Sequence, residues 1–211
     1  MKIIFAGPSI YGMDRSLLDG LAVRAPARCG DVFQAAQNGA SAIGLIDGTF
    51  ESGMSVWHKE IIHALDRGIK VAGAASMGAL RAVECERYGM VGIGKIFEQF
   101  RNGLRTRDAD VALLFAPAEM SYMPLTITQV DFDETLDELA LNALISAETA
   151  ARLRAASRQL HYKNRTIKSV LRQADMDDRD NLSRDIRNNW VNRKLLDASQ
   201  LLSWAQSTSL E

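Results

Sequence analysis

Ile69-Lys70-Val71-Ala72-Gly73-Ala74-Ala75-Ser76-Met77-Gly78 is the stretch that decides how this chain folds. Ile69 to Ala75 is a short apolar run interrupted only by Lys70, and it stops at small turn residues. A run of four to eight residues bounded in this way reads as a strand buried on both faces. A helical stretch, Ala79 to Tyr88, follows without a linker and is closed by Gly89. Glycine is the usual residue just past a helix end, because it adopts the left-handed backbone at no steric cost.

The same unit recurs on either side. Lys2 to Ala6 runs into Gly7-Pro8-Ser9, and Ala42 to Ile46 into Asp47-Gly48, while a fourth apolar run, Val111 to Ala116, stops at Pro117. Helical segments lie between them: Val32 to Asn38 ended by Gly39, and Val56 to Arg67 ended by Gly68, the latter with Ile61, Ile62 and Leu65 on one stripe. Strand–helix–strand alternation with short connections predicts an α/β fold with an open, mainly parallel sheet flanked by helices. From Thr135 onward Leu136, Leu139, Ala140 and Ala143, and later Val191, Leu195, Ala198 and Leu202, follow helical spacing, with a polar interruption around Asp175 to Asp180. The expected division is an α/β core over residues 1–130 and an all-helical C-terminal segment over 131–211.

Composition sharpens that division. All 15 glycines of the 211 residues lie between Gly7 and Gly103. Residues 1–150 carry 13 basic and 19 acidic side chains, and residues 151–211 carry 12 and 7. The net charge of −1 argues against a bulk electrostatic attraction to nucleic acid or to anionic membranes. No segment approaches transmembrane length, and the start is too short to be a signal peptide. Two cysteines and three histidines are too few for a disulfide framework or a structural zinc site. A cytoplasmic protein with reduced thiols is the simplest expectation.

Ligands of a parallel sheet bind outside the carboxyl ends of its strands. The residues to inspect are therefore Ser9, Asp47 with Gly48, and Ser76 with Gly78. Ala74-Ala75-Ser76-Met77-Gly78 has the small-x-Ser-x-Gly form of a nucleophile elbow, in which a strand turns sharply into a helix and backbone N–H groups face the serine. The same composition also serves a turn that is merely tightly packed. His58 follows Ser55, a good N-cap, which places it at the third helical position. A helix N-terminus favours neutral, basic imidazole over imidazolium. His58 equally fits a core-capping position beside Ile61 and Ile62. Asp47 can orient such a histidine or simply close an Asp-Gly turn.

Gly89-Met90-Val91-Gly92-Ile93-Gly94-Lys95-Ile96 fits most of a phosphate-binding loop, but Ile96 replaces the magnesium-binding hydroxyl and a helix precedes the loop. Cys85 lies inside a helix with no histidine nearby and reads as a buried structural thiol. The basic tail reads either as a solvated face or, with Trp190 and Trp204 as anchors, as a docking surface for an acidic partner.

Taken together, Phe5-Ala6-Gly7-Pro8-Ser9, Ile46-Asp47-Gly48-Thr49-Phe50, Trp57-His58-Lys59-Glu60-Ile61 and Gly73 to Ala82 resemble the TfuA core domain. Tyr88 to Gly94 and Asp110-Val111-Ala112 continue the resemblance, which spans about residues 1–120. Pro26 to Asp31 fits the family's basic-Gly-Asp segment, with Cys29 where a basic or polar residue is expected. Val130-Asp131-Phe132-Asp133-Glu134 departs from the family pattern.

The resemblance implies a partner of YcaO enzymes in peptide backbone thioamidation during biosynthesis of ribosomally made peptide natural products. It implies release of sulfide from a thiocarboxylated, ThiS-like sulfur-carrier protein, with the peptide reached through YcaO. On that basis Ser76, His58 and Asp47 are the expected catalytic residues. Ser9, Gly48, Lys59, Met77, Gly78 and Arg81 are expected to contact the substrate anion. No cofactor and no metal is expected, nor nucleic acid or membrane as a partner; a homo-oligomer is left open. The alternative is a non-catalytic adaptor that binds YcaO and promotes its binding of peptide.

Overall fold

The computed structural model describes residues 1–51 and 53–208. Five strands form one sheet, all parallel: β1 (Lys2–Phe5), β2 (Ala22–Arg24), β3 (Ala42–Leu45), β4 (Lys70–Ala74) and β5 (Val91–Ile93), in the order β2-β1-β3-β4-β5. The chain steps outward from β1 to β2, then returns past β1 to build β3, β4 and β5. This doubly wound order puts a reversal point between β1 and β3, where strand-end loops diverge. Helices α1 (Asp31–Gln37), α2 (His58–Asp66), α3 (Met77–Cys85) and α4 (Lys95–Arg101) alternate with these strands. Gly39, Gly68 and Gly89 all take left-handed φ at the ends of helical segments.

Two strands escape the sequence reading and one expected strand is absent. β2 and β5 are three-residue edge strands, and Val23 and Val91 are exposed on them, so neither has the apolar run of a buried strand. Val111 to Ala116 does not join the sheet. Residues 108–110 form a 3-10 turn, and the rest pairs locally: Ala116 N–H donates to Met123 O at 2.9 Å and Leu125 N–H to Leu114 O at 2.8 Å. Phe115 and Pro124 thereby form an isolated antiparallel bridge. This local partner takes up the backbone groups at Leu114 and Ala116, so that end of the run needs no place in the parallel sheet.

Helices α5 (Gln129–Leu141), α6 (Ala147–Gln159), α7 (Ile167–Gln173), α8 (Arg179–Asn188) and α9 (Arg193–Ser207) complete the chain. The residues divide into two compact units, 1–106 with 117–122 and 194–211, and 107–116 with 123–193. The sequence reading draws a single line at residue 130, whereas here the last helix groups with the sheet. Ala198, Leu201, Leu202 and Ala205 of α9 share a core with Ile4, Ile46, Ala72 and Ala74. Gly44 of β3 permits this approach, since a Cβ there would lie 2.6 Å from Leu201 Cδ2. In the second unit Phe132, Leu136, Leu153, Val170 and Ile186 form a separate helical core. Its helices are capped by Thr128, Ser146 and Thr166, whose hydroxyls accept first-turn N–H groups.

Candidate functional site

At the reversal point, the chain after β3 places Asp47 against the turn after β1. Asp47 Oδ2 accepts the Gly7 N–H at 2.8 Å and the Ser9 N–H at 3.0 Å, and Oδ1 accepts the Ser9 hydroxyl at 2.6 Å. Lys194 Nζ lies 3.8 Å from Oδ1, and Asp47, Ser9 and Lys194 are each 2% exposed. The amides that would greet an external anion at this position are thus taken up by the chain's own carboxylate. Gly48 packs under Met77, where a Cβ would come within 2.8 Å of Met77 Cγ. Ser9 and Gly48, expected to touch substrate, are occupied in building this turn.

The turn after β4 is built differently. Ala75 has φ +63°, a left-handed backbone that costs a non-glycine residue about 1–2 kcal/mol. Ser76 is the N-cap of α3, yet its hydroxyl makes no capping hydrogen bond. It is 9% exposed. Gly78 N–H donates to Ile46 O at 3.1 Å and Ala79 N–H to Ser76 O at 2.9 Å. Met77 N–H is left as the only first-turn amide of α3 without a hydrogen-bond acceptor among the described residues. Gly78 therefore holds the helix start against β3. A Cβ at Gly78 would overlap the Leu45 carbonyl oxygen, and one at Gly73 would overlap that of Gly78.

His58 opens α2. Trp57 is the N-cap, with its N–H donated to Glu60 Oε1 at 3.0 Å, whereas the Ser55 hydroxyl donates to Thr49 O. The helix therefore begins two residues later than Ser55 capping would place it, and His58 is its first residue. Its side chain is half exposed, not a core cap, and Nε2 lies 2.7 Å from Glu84 Oε2. The same carboxylate oxygen accepts Arg81 Nη1–H at 2.6 Å, while Arg81 Nε–H donates to Val56 O at 2.8 Å. Histidine, glutamate and arginine thus form one chain across α2 and α3. Asp47, expected to orient His58, is bound to Gly7, Ser9 and Lys194 instead, and Glu84 occupies that role. Lys59 is exposed, and Met77 is buried against Gly48. No hydrogen bond joins Ser76 to His58 among the described residues.

The glycine-rich 89–96 segment contains β5 and opens α4. Asp197 of α9 fills that helix start, its Oδ2 accepting Ile96 N–H at 2.8 Å, and Gly94 is pressed to within van der Waals reach of the same carboxylate. A carboxylate stands where a phosphate would have to sit. Burial pushes the Cys85 thiol up to about 11, and desolvation with the nearby Glu60 raises that of Cys29, so neither is an activated nucleophile. Among the described residues no three His, Cys, Asp or Glu side chains converge in a metal-ligating group.

Glu84 and Lys194 are the site-lining residues that sequence reasoning misses. Glu84 is at i+3 from Arg81, an ordinary surface spacing, and Lys194 is about 150 positions away from its partner.

These features define a class: a doubly wound α/β unit with a serine-bearing strand-to-helix turn and an internally neutralised reversal point, joined to an all-helical unit. The family model described as TfuA-like protein matches residues 47–166, more than half the chain. The chain belongs to that family. The match begins at Asp47 and extends through α5 and α6, so residues 130–134, which read as departing from the pattern, lie within it. A comparison with curated proteins finds no match. Among the described residues no helix is long and apolar enough to cross a membrane.

Proposed function

We propose that this protein releases sulfide from a thiocarboxylated sulfur-carrier protein, as a partner of a YcaO enzyme in peptide backbone thioamidation. Membership of the TfuA-like family supports the thioamidation context. The reaction rests on one observation, the uncommitted Ser76 hydroxyl beside the free Met77 N–H at the start of α3.

A thiocarboxylate is an acyl group with sulfide as leaving group, and its negative charge resists nucleophilic attack. Cationic and N–H groups must first neutralise it. Met77 N–H, the exposed Lys59 and the part of the Arg81 guanidinium not held by Val56 and Glu84 are the groups available for this. Ser76 Oγ then attacks the carbonyl carbon, the C–S bond breaks, and the serine proton passes to His58 and on to the departing sulfide. Water hydrolyses the resulting ester to the carrier's carboxylate. If Ser76 instead positions the water, the same bonds break without the ester. Glu84 holds the His58 ring in place through Nε2, leaving Nδ1 to exchange the proton.

The test is sulfide release from thiocarboxylated carrier in the absence of YcaO. We expect Ser76→Ala and His58→Ala each to lose at least 100-fold, in the range typical of removing a nucleophile or base. Wild-type rates in both would sink the hydrolase reading. Mass spectrometry of the trapped mixture separates an adduct on Ser76 from the water route.

The commitment of Gly78 N–H to Ile46, together with the missing Ser76–His58 hydrogen bond, favours a second reading. In that reading the protein is a non-catalytic adaptor that binds YcaO and raises its affinity for peptide. An adaptor releases no sulfide alone but still tightens peptide binding when both variants are used.

A further inference from the structure

A cleft of about 730 Å³ opens at the carboxyl ends of β1 and β2, one strand away from the reversal point. Its size falls within the range of small-molecule sites, about 300–1,000 Å³. Ala6, Ile10, Met13 and Leu18 give it apolar walls, and Tyr11 and Tyr122 add aromatic ones. Arg15, Arg24 and Asp19 supply its charge, a net excess of one cation. Arg24 is half-buried and its guanidinium has no ion pair or hydrogen bond among the described residues. A partly desolvated guanidinium without a partner is costly unless something else neutralises it.

The cleft's rim also carries backbone strain. Ser121 and Tyr122 are consecutive non-glycine residues with φ +52° and +56°. Such conformations cost about 1–3 kcal/mol each and persist only where the surroundings impose them. They bring Tyr122 over Gly7, where a Cβ would lie 3.3 Å from its Cγ and 2.5 Å from Pro26 Cγ. Gly7 thus keeps the cleft floor flat, and the strained segment supplies one aromatic wall.

The ligand's charge must be read by side chains. Gly7 and Ser9 N–H groups, which would cradle a phosphate in a sheet of this order, are both held by Asp47. A single planar guanidinium matches a planar carboxylate through two parallel hydrogen bonds. We infer that this cleft is a binding site for a small organic carboxylate with an aromatic or branched apolar body, the carboxylate held by Arg24 and the body between the tyrosine-bearing walls. None of its lining residues belongs to the proposed sulfide-releasing chemistry, so the two readings stand or fall separately.

Calorimetric titration of the full-length protein with N-acetyl-L-phenylalanine tests the assignment, with phenyl phosphate, acetate and inorganic phosphate alongside. Saturable binding of N-acetyl-L-phenylalanine is expected, at least tenfold tighter than acetate or phenyl phosphate. Arg24→Gln should weaken it tenfold or more. Arg24→Lys should recover part of the loss, since the charge remains and the fork is gone. Ala118→Trp, an exposed substitution at the rim, should block the cleft and abolish binding. All three variants should release sulfide at the wild-type rate. No saturable binding, equal affinity in Arg24→Gln, or preference for phenyl phosphate over the carboxylate would overturn the proposal.

Discussion

Asp47 follows β3 and Ser76 follows β4, neighbouring strands of one parallel sheet, yet their side chains are held in opposite states. The Asp47 carboxylate takes three hydrogen bonds and has a lysine beside it, at 2% exposure. The Ser76 hydroxyl caps nothing and is 9% exposed. The first arrangement closes a place where parallel sheets usually take an anion. Asp197 closes a second one at the start of α4. Ser76 is therefore the polar group at the inspected strand ends that the fold leaves uncommitted, although the turn carrying it is the one with a strained alanine. What this teaches is that nearness to the sheet's carboxyl edge does not make a residue a ligand contact; the decisive question is whether its atoms are already used.

The largest effect is expected at Gly78. Gly78→Ala places a methyl group inside the Leu45 carbonyl, which is backbone and cannot step aside. The start of α3 would have to lift from β3, losing the Gly78–Ile46 hydrogen bond as well. We expect a loss of at least about 3 kcal/mol, the upper range for overpacking a core, read as insoluble protein or a collapse of the denaturation midpoint. A midpoint within error of wild type would mean that the turn is far less tight than described.

Asp47→Ala comes next. It removes the acceptor of two backbone amides and a hydroxyl, and with it the carboxylate 3.8 Å from the buried Lys194 ammonium. Breaking one side of a buried pair costs about 3–5 kcal/mol, against about 1 kcal/mol for an exposed one. Urea denaturation should show that loss, and Asp47→Asn should recover part of it because one oxygen still accepts. If Asp47 instead served only as a catalytic orienter, stability would hold while sulfide release fell. Glu84→Gln is the complementary test. Glu84 is 43% exposed, so stability should move by less than about 1 kcal/mol. The sulfide-release rate should fall, but by less than the roughly 100-fold or more that loss of the base itself costs.

Much of this site was legible in the chain before its geometry was known. Ala74 to Gly78 reads as a strand-to-helix turn because small residues are the only ones that permit it, and the clashes at Gly73 and Gly78 are that requirement in space. β1, β3 and β4 are legible because strands covered on both faces must be continuously apolar. β2 and β5 are not, since an edge strand of three residues carries no such obligation. Val111 to Ala116 misleads for the converse reason: apolar composition reports burial, and burial is satisfied equally by a local antiparallel pair. The fates of Asp47 and of α9 depend on Lys194 and Asp197, contacts spanning about 100 to 150 positions that no local pattern encodes.

The smallest effect, and the finest test of the contrast, is Ala75→Gly. Glycine relieves the left-handed backbone at Ala75, worth about 1–2 kcal/mol. It also gives the unfolded chain more freedom, at a cost of about 0.4–1 kcal/mol. Ala75 is fully buried, so losing its methyl forfeits roughly another 0.8 kcal/mol. The three nearly cancel, and the expected change in denaturation midpoint is within about 0.5 kcal/mol of zero. Such a variant isolates the turn's rigidity from its stability. Should sulfide release fall severalfold at unchanged stability, the strained alanine fixes the direction of the Ser76 hydroxyl, and the open state of this turn is built in by its neighbour. An unchanged rate would place that control in the packing of Gly73 and Gly78 alone.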